Sequence, residues 1–210
     1  MTIVLNLGIR RAVERALKIV DAVFFGFILF LQQFIRIRPR TILLLRQDEI
    51  GDYVLFRNFI TVVKASERFK DYDITLCGNL VWQELSEVLD KDVVTDFIWL
   101  DKIKFQSRRF YKYISLLKLS SRGYSFLIHP TYSRNPYTDT LVRFIKAKQK
   151  IGSEGDTLIS TNLRGKPSNH VYDCLIEVTD RPIFEFVRNR EFFENLIGEP
   201  ITIDYPHISV

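Results

Sequence analysis

Residues Thr41 to Phe59 read TILLLRQDEIGDYVLFRNF, a buried strand, a tight acidic loop and a helix opening in one continuous sweep. Ile42, Leu43, Leu44 and Leu45 form an uninterrupted apolar run, the pattern of a strand covered on both faces in a parallel sheet. Arg46 to Gly51 leaves the carboxyl end of that strand and delivers Asp52 to the first turn of a helix whose expected buried face is Val54, Leu55, Phe59 and Val62. In open α/β sheets the ligand crevice lies outside the carboxyl ends of the strands, so Asp48, Glu49 and Asp52 stand where chemistry is expected.

Working outward, the pattern predicts strands at Asp73–Cys77, Asp96–Leu100 and Tyr124–His129, with a short one at Gln149–Gly152. Helices are expected at Leu80–Leu89, Lys104–Ser121 and Asn135–Ala147, the second with Phe105, Phe110, Tyr113, Ile114, Leu117 and Leu119 as its inner positions. This βαβαβαβ progression resolves physically as a mostly parallel, Rossmann-like α/β sheet with helices on both faces and right-handed crossovers. Cys77 and Cys174 show no CxxC or metal-ligand spacing and read as reduced core residues, Cys77 in a strand and Cys174 in a mostly apolar helix.

The loop after the first strand also carries a resemblance. LLLRQDEIGDYVL resembles the opening of the heptosyltransferase family (glycosyltransferase family 9), in which a strand, an R-x-D-x-IGD-type loop and a helix follow one another. Lys150, Ile151, Gly152 and Gly155 resemble the family's R/K-IG turn, and His170 with RNREFFENLIG at Arg188–Gly198 resembles a later helical segment. The likeness runs, with gaps, from about residue 41 to 205. It implies a GT-B enzyme whose first domain holds the acceptor and whose second holds a nucleotide-activated sugar. The division expected is a helical stretch 1–40, an acceptor-binding domain 41–205, and at 206–210 the start of a linker to a second domain that the 210 residues leave no room for.

By the same resemblance Asp52 is the general base that takes the acceptor's proton. Aspartate is also a common residue of a helix's first turn, so a purely structural role stays open. Arg46, Asp48, Gly51, His129 and Arg134 are the candidate acceptor contacts, with Arg57 and Arg143 as further guanidinium groups for an anionic, phosphorylated saccharide. The donor is a co-substrate for the absent domain. No cofactor and no metal are expected, and Walker loops, GxGxxG and serine-nucleophile motifs do not occur.

The net charge of +5 is localised: residues 1–40 set Arg10, Arg11, Arg15, Lys18, Arg36, Arg38 and Arg40 against Glu14 and Asp21, which accounts for the whole excess. Apolar residues from Ile9 to Leu31 keep helical spacing, and Ala22–Leu31 is apolar all round but about half the roughly 20 residues a spanning helix needs. An N-terminal amphipathic helix on an anionic membrane surface is expected, with packing on the domain or on a second subunit as the other reading. Aromatic residues follow core periodicity and do not alternate with basic ones, which argues against nucleic acid as a partner. Two functions stay apart at this stage. One is a glycosyltransferase half, cytoplasmic and peripheral at the inner membrane face, acting on a lipid-linked saccharide with a separate donor-binding domain. The other is a non-catalytic, membrane-associated binding module, or a truncated remnant of the same fold.

Overall fold

The computed structural model describes residues 2–155 and 168–208, with side chains from residue 10 onward. Asp156, Ser209 and Val210, which the sequence reading placed in the second turn motif and the linker, lie outside the described residues. Six parallel strands form one sheet in the order β3-β2-β1-β4-β5-β6, where β1 is Thr41–Arg46, β2 Asp73–Asn79, β3 Asp96–Leu100, β4 Gly123–His129, β5 Lys146–Ser153 and β6 Cys174–Ile176. The sheet is Rossmann-like, and β1 is its pivot. It pairs with β2 on one side and β4 on the other, so the strand order reverses there and a crevice opens at the carboxyl ends of β1 and β4.

The run of four apolar residues in β1 is explained by two cores. Ile42 and Leu44 face a layer with Phe56, Phe59, Phe186 and Phe193, while Leu43 and Leu45 face the opposite layer with Leu116, Leu127 and Leu141. All four are fully buried. Each such side chain contributes about 1.5–3 kcal/mol by leaving water. The first layer is α2 (Ile50–Phe56), α3 (Asn58–Ala65) and a late helix at Glu185–Ile197; the second is α6 (Arg109–Ser120), α7 (Pro136–Phe144) and the end of α1 (Thr2–Gln32). Between them in the chain come α4 (Gln83–Leu89), reached through a 3-10 turn at Leu80–Trp82, and α5 (Lys102–Ser107); the late helix is α8.

Several expected faces are shifted, in one case by a buried acid that draws Tyr53 and Arg57 inward and in another by a helix break. Arg57 ends α2 and starts α3, with its guanidinium 3.2 Å from Asp90, and Tyr53 turns inward to donate its hydroxyl to the same carboxylate at 2.6 Å. Tyr53, Phe56, Phe59, Ile60 and Val63 are therefore the buried set, and Val54, Leu55 and Val62 are only half-buried. The Lys104–Ser121 helix is two, parted at Arg108, whose backbone is extended. Phe105 and Leu119 are buried as expected, but Phe110, Ile114 and Leu117, also read as inner positions, are exposed, and Leu116 is buried instead. The third helix stops at Phe144, since Ile145 is already extended and β5 begins at Lys146. Cys174 is an exposed strand residue, not a helical core one; Cys77 is buried in β2 as expected.

The N-terminal helix packs against the domain over its last third. Ile28 is fully buried, Phe24 and Phe25 lean on the same core, and Asp21 accepts hydrogen bonds from the Tyr113 hydroxyl and the Arg109 guanidinium. The chain then runs past the start of β4, where a Cβ on Gly123 would come within 2.7 Å of the Arg36 carbonyl, a contact only glycine permits. Among the described residues no helix is long and apolar enough to cross a membrane.

Candidate active site

Arg46, Asp48, Asp52, Thr131, Ser133 and Glu185 line a cleft of about 290 Å³ at the crevice between β1 and β4. Each is placed by a different element. Arg46 is the last residue of β1, Asp48 lies in the loop, Asp52 is in the first turn of α2, Thr131 and Ser133 follow β4, and Glu185 opens α8.

Arg46 is buried, yet every direction of its guanidinium is used. Nε lies 2.8 Å from Asp48, and the terminal nitrogens lie 3.4 Å from Glu185 and 3.3 Å from the Asn189 side-chain oxygen. Asp48 accepts a hydrogen bond from the Thr131 hydroxyl at 2.9 Å and is ion-paired with Arg46, so this carboxylate fixes the β1 loop to the β4 loop. Asp52 is the less encumbered acid. It accepts only the Glu49 backbone N–H among described hydrogen bonds, at 3.3 Å, and otherwise faces the cleft. That bond is a helix-capping contact, so the structural role and exposure to a ligand coexist in one side chain. Burial raises the Glu185 carboxyl above its ordinary range, with Arg46 and Arg188 pulling it down and Asp52 pushing it up. The cleft thus holds Asp52 beside a second acid whose proton affinity burial raises.

Gly51 stands next to Asp52 with no atom within 4 Å of where its Cβ would be, leaving open space beside the acid. His129 and Arg134, by contrast, lie beneath the loops and do not line the cleft. The Tyr172 hydroxyl donates to Asp139 at 2.9 Å, so His129 Nδ1–H donates to the Tyr172 oxygen at 2.7 Å and Nε2 carries the lone pair. Burial pushes the His129 imidazole down to about 4, against the pull of Asp139 and Asp48. It is neutral at physiological pH, and its ring protons in an NMR titration are expected to show no inflection near 6.5, with charging setting in only towards pH 4. An ordinary midpoint would mean that the ring reaches water. Arg134 donates to the Glu154 carbonyl at 2.8 Å and to Asn169, and lies over the Tyr172 ring, tying the loops after β4 and β5 together.

The remaining candidates are dispersed. Glu49 is exposed and pairs with Lys102 at 3.0 Å. Arg57 is bound to Asp90 and to the Leu89 and His207 carbonyls, and Arg143 is exposed at the far end of α7. His170 and His207 are exposed as well. Among the described residues no group of three potential ligands could hold a metal ion.

Glu185, Thr131 and Ser133 were not singled out in the sequence. The segment IFEFVRNREFF held a signal for Glu185, because an acid just before a helical apolar period marks a first turn, and first turns in this fold point at the crevice.

No family model matches the chain, and no curated protein matches it in sequence. Solved structures do match. An E. coli heptosyltransferase WaaC with ADP superimposes with a TM-score of 0.56 at 14% identity, over 76% of this chain and 47% of that one. The same enzyme with ADP-2-deoxy-2-fluoro heptose gives 0.60 at 13%, over 79% and 51%. A glycosyl transferase family 9 structure from Veillonella parvula DSM 2008 gives 0.58 at 15%, over 84% and 47%. The chain therefore spans about half the length of these structures, and what it shares with them is the Rossmann-like α/β fold.

Proposed function

We propose that this chain is the acceptor-binding half of a heptosyltransferase-like, inverting glycosyltransferase of GT-B type. It acts with a separate donor-binding domain on a lipid-linked saccharide such as the lipopolysaccharide core, at the cytoplasmic face of the membrane. The observation that carries the reading is Asp52, a carboxylate with one weak backbone partner, facing a cleft at the point where the strand order reverses.

The chemistry follows from that placement. Asp52 takes the proton of an acceptor hydroxyl as its oxygen attacks the anomeric carbon; the bond from that carbon to the nucleotide's phosphate breaks, and the nucleoside diphosphate departs. Glu185, Thr131 and Ser133 supply polar atoms for the acceptor's other hydroxyls. Arg46 and Asp48 hold the loops that carry these groups. The charge of the leaving nucleotide is met by the donor-binding domain; the matched WaaC structures are with ADP and with ADP-2-deoxy-2-fluoro heptose.

Titration calorimetry on the chain separates this reading from that of a remnant. A deacylated, phosphorylated core saccharide is expected to bind, to bind equally well to Asp52→Asn, and to bind at least tenfold more weakly to Thr131→Ala combined with Glu185→Ala. An absence of saccharide binding would remove the acceptor-half assignment. Transfer on adding a donor-binding domain and a nucleotide-activated heptose would exclude a purely non-catalytic module.

A further inference from the structure

The last third of α1 uses one side to dock and leaves the other bare. Taking about 100° per residue, Ile19, Val23, Phe27 and Phe30 fall within an arc of about 80°, on the side away from buried Ile28. All four are exposed, Val23 at 68% and Ile19 at 64%. A second strip lies on α6, where Phe110 is 77% exposed and Ile114 and Leu117 are exposed as well.

The two strips join. Tyr113 of α6 stacks on Phe24 of α1 with ring centroids 4.0 Å apart. Phe110 and Leu117 are the neighbours of Tyr113 one turn either way on α6, as Val20 and Phe27 are of Phe24 on α1. What emerges is one apolar surface crossing two helices, too large to be the scatter of single exposed residues normal for a water-facing side.

Its surroundings are basic. Arg10, Arg11, Arg15 and Lys18 are exposed on α1 and Lys118 on α6. The nearby Asp21 is turned inward and neutralised by Arg109, which leaves Glu14 as the exposed acid of the segment Arg10–Val20. Position adds a further point. Asp21 meets the first residue of α6, near the carboxyl end of the sheet, and Gln32 meets Phe144 and Lys146, at its amino end. Arg10–Val20 therefore continues past the domain by about 16 Å on the side where the cleft opens.

We infer that α1 and α6 together form a docking surface for an anionic lipid bilayer. The apolar strip enters the boundary between head groups and acyl chains while the flanking lysine and arginines meet lipid phosphates. A second copy laid parallel along α1 is a poor occupant, because it sets Arg11, Arg15 and Lys18 of the two copies together. The inference concerns binding alone and does not depend on transfer.

Flotation of the whole chain with phosphatidylcholine vesicles, with and without phosphatidylglycerol, tests it. Binding is expected only with the anionic lipid and is expected to fall at high salt. Arg11→Glu, Arg15→Glu and Lys18→Glu together should weaken it about 100-fold or more, taking about fivefold per basic residue lost. Phe110→Ser with Ile114→Ser, both exposed and so harmless to the fold by circular dichroism, should weaken it about tenfold. Undiminished binding by the α6 pair would remove α6 from the surface. Equal binding to neutral vesicles, no binding, or a dimer in sedimentation that the α6 pair dissociates would overturn the proposal.

Discussion

Asp52→Asn, in the chain completed by a donor-binding domain, is expected to lower transfer by about 10²–10⁴-fold, the usual worth of a general base. Acceptor affinity should hold, because the carboxamide keeps the volume and one acceptor oxygen and loses only basicity. The fold should hold too: Asp52 is half-buried, and its single described hydrogen bond, to the Glu49 N–H, remains possible for asparagine. A loss of at most about 1 kcal/mol is expected from the weaker cap. Steady-state kinetics beside a thermal melt decides the matter. A turnover within a few-fold of the parent would leave Asp52 as a cap and nothing more. A fall in turnover matched by a collapse of the melt would assign it to structure.

Arg46→Met is expected to produce the largest loss of stability, about 3 kcal/mol, or a melting temperature lower by about 10 °C. The side chain is 1% exposed and joins Asp48 of the loop after β1 to Glu185 and Asn189 of α8. Its removal leaves two partly buried carboxylates facing each other. The deficit should depend on pH with a definite sign. Burial already raises the Glu185 carboxyl, and Arg46 opposes that rise, so losing Arg46 raises it further. A native state that binds a proton more tightly than the unfolded chain gains stability as pH falls, so the variant's deficit should be full at neutral pH and narrow as pH drops through the raised range. Urea melts across pH measure it. Adding Glu185→Gln should restore part of the loss at neutral pH, and strict additivity of the two changes would show that the pair is not coupled.

How much of this was readable beforehand depends on the element. The β1 run and its acidic loop were legible because burial on both faces leaves no polar residue to interrupt the pattern, and because strand ends in this fold carry the crevice. The order of strands and helices followed from the same alternation. Helix faces were less legible. A break at Arg108 resets the 3.6-residue phase, though Arg108 does not differ in type from arginines that do not break a helix, and Tyr53 and Arg57 are drawn inward by Asp90, more than thirty residues away. The site divides along the same line. Asp48 and Asp52 lie within the motif, whereas Glu185 reaches the cleft through a tertiary contact 139 residues away from Arg46. His129 and Arg134 were placed at the correct strand end, but whether a strand-end side chain points up into a cleft or down beneath a loop depends on partners such as Tyr172, which no local pattern announces.

The docking of α1 also bears on how the chain comes into being. This helix leaves the ribosome before the domain it docks on, and the groups that hold it are made much later: Tyr113 stands 92 residues after Asp21, and Phe144 stands 112 after Gln32. During that interval its phenylalanines have no native cover, and closing so long a loop is slow compared with helix formation itself. A nascent chain in this state is prone to aggregation unless a chaperone or a lipid surface shelters it. The order of synthesis thus gives a nearby bilayer the first opportunity to capture α1, before the domain that will carry it has finished folding.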